Sequence, residues 1–174
     1  MIREDFTVTL GSVATIPYHS HWARVEISSD TVYHYLLDDK LISMIVRTPS
    51  IISMDTEVFL NLSLLTDRYF FLRTFKKEVV DWERIRVRPP IYLVYDRQEK
   101  AIFNYTVYND DFSNKRRANI GSPLNHEIVT WQSLESYQVV EANEKGELKG
   151  RLKEIAAELD EEDNPVIMPV KHRR

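Results

Sequence analysis

Apolar and polar positions alternate along most of the chain up to Val140, the period of a strand with one face toward a core. Phe6-Thr-Val-Thr-Leu10 alternates, and so does Trp22-Ala-Arg-Val-Glu-Ile27. Thr31–Leu37 and Leu41–Val46 flank Asp38-Asp39-Lys40, a polar turn between two β-prone runs, which predicts a hairpin. Glu57–Leu65 leads through Thr66-Asp67 into Arg68–Phe75, a second hairpin. Ile91–Tyr95 and Ala101–Tyr108 flank Asp96-Arg-Gln-Glu-Lys100, the clearest hairpin of the chain. His126–Trp131 predicts one more strand. Between them, Asn109–Asn125 is rich in Asp, Asn, Ser, Gly and Pro and reads as a long loop.

The period changes near the end. Leu148, Leu152, Ile155, Ala156 and Leu159 lie on one helical stripe, so the spacing predicts a helix over 147–159. Pro165 forbids its continuation, and Val166-Ile-Met168 predicts a final strand beside it. The expected organisation is a single mainly β domain over 1–174. Strands and hairpins fill 1–140, and the amphipathic helix and last strand fill 141–174.

Composition narrows the chemistry. There is no cysteine, which excludes disulfides, thiol nucleophiles and thiolate metal sites. Four glycines in 174 residues leave little room for a glycine-rich phosphate loop. The net charge of −4 and the pI of about 5.8 argue against a dedicated nucleic-acid binder. Charge is unevenly placed: Glu141–Asp163 is acidic, and the end carries Lys171, Arg173 and Arg174. No run of residues is long and apolar enough to span a bilayer as a helix. No basic start leads into an apolar stretch of the secretory type. The chain as given therefore reads as cytoplasmic, or as a mature or truncated piece of an exported protein.

Several constellations could carry chemistry. His19 and His21 are two apart, which on a strand puts both on one face, as metal ligands require. With Glu26 they partly match the first metal motif of cupins, although the following glycine is missing and no second motif is present. Asp96, Glu99 and Lys100 contain the residue types of a metal-dependent nuclease core, but Glu99 and Lys100 are adjacent and fall in a predicted turn. Arg84, Arg86 and Arg88 line one face of an extended segment, with Lys115-Arg-Arg117 as a second basic spot. Interleaved Glu78, Asp81 and Glu83 instead favour a charged outer strand that blunts edge pairing. Asn109, Asp110, Asp111 and Asn114 offer oxygen ligands without the spacing or central glycine of a calcium loop. Asn61-Leu-Ser63 and Asn104-Tyr-Thr106 are glycosylation sequons, relevant only to a secreted eukaryotic chain.

The order Asp30-Thr-Val-Tyr33, Thr66-Asp-Arg-Tyr-Phe70, Tyr92-Leu-Val-Tyr-Asp96 and Glu161-Glu-Asp-Asn-Pro-Val-Ile-Met168 resembles the C-terminal half of the six-bladed β-propeller proteins common in Bacteroidetes. The acidic ending is the most specific part, and the likeness spans Val25–Val170. Shifting the chain so that Val32-Tyr33 lies on Ile91-Tyr92 aligns two hairpins, which agrees with a blade-like repeat. The family's glycine-rich loop is replaced here by Asn109–Asn114. The resemblance implies four-stranded antiparallel blades of a partial propeller, with one C-terminal helix and a closing strand. It implies a non-enzymatic binding module for a protein, peptide or glycan, placed in the periplasm or on the outer-membrane surface if the chain is a fragment. No cofactor is expected, and a homodimer could complete a ring. The alternative is a metal-dependent, cupin-like enzyme using His19, His21 and Glu26.

Overall fold

A computed structural model of the chain describes residues 13–81, 86–121, 123 and 129–171. The architecture is mainly β, with two four-stranded antiparallel sheets and two short helices. The first sheet is a meander of β1 (Val13–Tyr18), β2 (His21–Glu26), β3 (Thr31–Tyr35) and β4 (Leu41–Val46). Pro17 is tolerated because β1 is an edge strand. The β1–β2 and β3–β4 turns hold His19 and Asp39 at positive φ, in the left-handed region that glycine usually fills.

The second sheet is built from β5 (Val58–Leu65), β6 (Tyr69–Lys76), β9 (Ile91–Asp96) and β10 (Ala101–Asn104), in the order β10-β9-β6-β5. A small hairpin of β7 (Val79–Asp81) and β8 (Arg86–Val87) interrupts it between β6 and β9. The three hairpins expected from alternation are all present, with β10 ending sooner, at Asn104. A bulge in β5 shifts the register between Leu62 and Leu64. Leu62 opposes Leu72 and Leu65 opposes Phe70, so the extra residue keeps both leucines on one face.

That face meets the first sheet. Ile16, Ala23, Val25 and Val32 pack against Leu62, Leu65, Phe70 and Leu72 in one buried cluster. Removing their apolar surface from water is the main stabilisation of this sandwich, about 25 cal/mol per Å².

The chain then crosses a stretch expected as loop. It contains a two-residue ladder between β11 (Val107–Tyr108) and β12 (Arg117–Ala118). Phe112, only 2% exposed, seeds a second core there. Phe112 also bridges Leu148. The rest of that core is Leu134, Val139, Ala142, Leu148, Leu152 and Ala156. Leu134 ends β13 (Val129–Leu134), which pairs antiparallel with β14 (Val166–Lys171). The final strand expected at 166–168 is therefore present and longer.

The C-terminal helix expected over 147–159 is preceded by one that was not expected, α1 (Ser136–Glu144), and is itself present in a shorter form, α2 (Gly150–Ala156). The reason is local. Gly146 closes α1 at positive φ: its N–H donates to Asn143 and that of Glu147 to Ala142, so the chain turns out of the helix. Leu148 then lies on the bridge to Phe112, and Lys149 is extended. α2 cannot begin before Gly150. The expected strand at Phe6–Leu10 and the first residues of the one at His126–Trp131 lie outside the described residues.

Candidate functional site

The hairpin turns of both sheets meet at one end of the sandwich. The β1–β2 turn carries His19 and Ser20, the β5–β6 turn Thr66, Asp67 and Arg68, and the β9–β10 turn Arg97–Lys100. Arg97 ties them together. Its Nη1 donates to the Tyr18 hydroxyl at 3.0 Å and to the Asp67 carbonyl at 2.7 Å, and its guanidinium lies 5.3 Å from the centre of the Phe70 ring. Its backbone N–H donates to the Arg68 carbonyl at 2.9 Å.

Three imidazoles gather on this frame. Ala23 opposes His34 across β2 and β3, which places His34 diagonally from His21. The ring centroids of His21 and His34 are 5.2 Å apart, and Tyr18 stands edge-on to His34 at 5.5 Å. The His19 ring lies 4.2 Å from that of Tyr18, with its Nδ1 3.6 Å from Asp67 Oδ1. His34 Nε2 is buried without a hydrogen-bond partner. Burial, and then the charges of His21 and His19, hold the His34 imidazole below its ordinary value. Burial pushes the Tyr18 hydroxyl up, against the pull of Arg97.

Beside this cluster, Arg68 donates from Nε and Nη2 to Asp96 Oδ2 at 3.0 and 2.7 Å. Asp96 Oδ1 accepts the N–H groups of Gln98 and Glu99 and so caps the turn. The bond from Arg68 is the chief reason the Asp96 carboxyl sits below the usual carboxylate range. Asp96 is thereby a turn-fixing residue, and Glu99 and Lys100 lie in the turn it fixes.

The structure separates Glu26 from the histidines. His21 opens β2 on the face of Ala23 and Val25, while Glu26 ends it on the exposed face. The two stand at opposite ends of the strand and on opposite sides of the sheet. Among the described residues, no three His, Asp or Glu side chains are placed to hold a metal ion. Asn109 is buried, and its Oδ1 accepts the Asp111 N–H. Asp110 pairs with Lys149, and Asn114 donates to Glu147. Arg88 grips Glu78 through Nε and Nη2, which with Lys76 lowers the Glu78 carboxyl to about 2. Arg84 lies outside the described residues. Arg116 stacks over Phe112 and donates to Gln138 beside a polar recess of about 230 Å³ on α1.

Sequence reasoning found His19 and His21 but not His34, Tyr18, Asp67 or Arg97. His34 sits on the next strand and reaches His21 only through strand pairing. The one available signal was the parity of β3: its even residues, Val32 and His34, share the core side.

Among the described residues, no helix is long and apolar enough to cross a membrane. No protein-family model matches the chain, and no curated protein matches it. A solved structure from Bacteroides fragilis NCTC 9343, described as a "Putative exported protein", has a similar fold, with a TM-score of 0.52 at 14% identity. The match covers 91% of this chain and 49% of that one, so the chain spans about half the length of the structure it matches.

Proposed function

We propose that the protein is a non-enzymatic binding module of β-propeller type, whose blades present their turn end to a protein, peptide or glycan. The observation that carries this reading is the convergence of hairpin turns from two stacked four-stranded sheets on Tyr18, His19, His21, His34, Asp67 and Arg97. Blades stack face to face and leave their connecting turns free for recognition. The cluster offers aromatic faces, imidazole donors and acceptors, and one guanidinium, a set suited to polar ligands with an apolar side. The Bacteroides structure of similar fold is described as a "Putative exported protein", which is consistent with a place in the cell envelope. Glu26 stands apart from the histidines, so the metal-dependent alternative gains no support from the geometry.

The test is amide chemical-shift perturbation with two probes, a pool of bacterial envelope oligosaccharides and a random octapeptide pool. Binding should move the amides of residues 18–21, 34–36, 66–68 and 97–100, and Arg97→Ala should abolish the shifts. No shift with either pool, or shifts confined to the opposite ends of the sheets, would overturn the reading.

A further inference from the structure

The loop after β11 folds back onto the C-terminal helices and is pinned there. The Asn109 N–H donates to the Arg116 carbonyl at 2.8 Å, which closes the loop on itself. The Ser113 N–H donates to the Glu147 carbonyl at 2.8 Å and the Lys149 N–H to the Asp111 carbonyl at 2.9 Å, so the loop and the α1–α2 connection hold each other. The polar recess of about 230 Å³ lies between them. Arg116 and Glu147 line it, with Tyr137, Gln138 and Glu141 of α1 and Lys145 at the end of that helix.

The Arg116 guanidinium is fixed on two sides. It lies 4.9 Å from the centre of the buried Phe112 ring, and its Nη2 donates to Gln138 Oε1 at 2.6 Å. Arg47, Arg68 and Arg88 each meet a carboxylate. Among the described residues Arg116 meets none within ion-pair distance, and only an amide oxygen answers its charge. A guanidinium held in this way is preorganised for a carboxylate from solution.

The hydrogen bonds around it fix a second donor. Arginine can only donate, so Gln138 must turn its oxygen to Arg116 and its amide nitrogen to Tyr137. That nitrogen donates to the Tyr137 hydroxyl at 2.9 Å. The hydroxyl oxygen accepts, which leaves its own proton for another acceptor. Tyr137 is 51% exposed, so that acceptor can come from solution. The acids of the recess are unequal. Glu141 is paired with Lys145. Glu147 Oε2 receives the Asn114 amide at 2.8 Å, and no cation lies within ion-pair distance of it among the described residues.

We infer that the recess binds a small zwitterion of the free α-amino-acid type, its carboxylate taken by Arg116 and the Tyr137 hydroxyl and its ammonium by Glu147. A plain anion would face Glu141 and Glu147, and a plain cation would face Arg116 and Lys145. A molecule that carries both charges answers both, and either charge alone leaves one wall opposed to it. The size agrees. A recess of about 230 Å³ is below the roughly 300 Å³ at which drug-sized sites begin, so the ligand is a single small molecule. The recess belongs to the second core, and the inference depends neither on the turn-end cluster nor on the blade reading of the sheets.

The test is amide chemical-shift titration of the full chain with three probes: a pool of the twenty L-α-amino acids, then acetate and methylammonium as the separate charges. The pool should give saturable shifts at residues 114–116, 137–145 and 147, and one or a few of its members, titrated singly, should reproduce them. Acetate and methylammonium at the same concentrations should shift these amides far less. Arg116→Gln, Tyr137→Phe and Glu147→Gln should each raise the dissociation constant of the tightest member about tenfold or more. Tyr137 is exposed, and a glutamine at 147 still accepts from Asn114, so those two variants decide the matter if Arg116→Gln does not fold. No saturable shift with the pool, acetate bound as tightly as any amino acid, or affinity indifferent to Tyr137→Phe and Glu147→Gln overturns the proposal. The amides read here are not those of residues 18–21, 34–36, 66–68 and 97–100, so the result stands apart from ligand shifts at the turn end.

Discussion

His34 stands edge-on to His21, with ring planes at 89° and centroids 5.2 Å apart, and its Nε2 is buried and unbonded. A second proton on His34 would bring an unsolvated charge between Tyr18, His19 and His21. The folded state therefore holds its affinity for that proton below the ordinary value of about 6.5. The sign follows: the unfolded chain binds the proton more readily, so acid favours unfolding. The stability held by neutral His34 is complete above pH ~6.5 and is lost as pH falls from there through the lower folded value. The carboxyls of Asp30, Asp96 and Glu78 are all lowered, so their losses come at more acid pH. Urea midpoints measured from pH 7.5 to 5 should fall for the wild type and stay flatter for His34→Gln. Equal slopes in the two proteins would remove His34 as the source.

Gly146 closes α1 at positive φ with both bonds of a helix-ending turn, from its own N–H to Asn143 and from Glu147 to Ala142. A Cβ at this position would meet nothing within 4 Å. The penalty of Gly146→Ala is then purely conformational, about 1 kcal/mol, and Gly146→Asn should cost less. Equilibrium denaturation of the three proteins checks the ordering. An alanine variant as stable as the wild type would mean that the chain leaves α1 by another route.

The hairpins were legible because acidic turns such as Asp38-Asp39-Lys40 punctuate β-prone runs. α1 was not. Its inward positions, Ser136, Val139 and Ala142, are small or polar and draw no apolar stripe. Ser136 is buried for a reason that only the fold supplies: its hydroxyl lies 2.8 and 2.7 Å from the carbonyls of Asp163 and Asn164. It thus anchors the acidic segment that leads into β14. The candidate site was half legible. His19 and His21 announce themselves by spacing, but Arg97, Asp67 and His34 join them through strand register and turn placement, which are non-local.

Asp96 serves two partners with different needs. Its charge holds Arg68, and its Oδ1 caps two turn amides. Asp96→Asn should keep the cap and weaken the ion pair, while Asp96→Ala removes both and leaves the amides unmet. Melting temperatures should therefore fall in the order wild type, Asn, Ala. A reversed order of the two variants would show that the carboxylate is not what fixes the β9–β10 turn.

The two hydrophobic clusters share no residue. One lies between the sheets around Ile16 and Leu62, and the other gathers Phe112 and Leu134 with the helices around Leu152. Truncating either core should cost about 2–5 kcal/mol, set by how far the cavity collapses. The location of the damage is the informative part. Leu152→Ala should strip hydrogen-exchange protection from α1, α2 and the β13–β14 pair while β2, β5 and β6 keep theirs. Ile16→Ala should do the reverse. This follows because stability is local where cores are separate, and each set of backbone bonds is protected only by the cluster that covers it. If either substitution instead releases both regions together, the two cores unfold as one unit, and the contacts between them carry more energy than their separate packing implies.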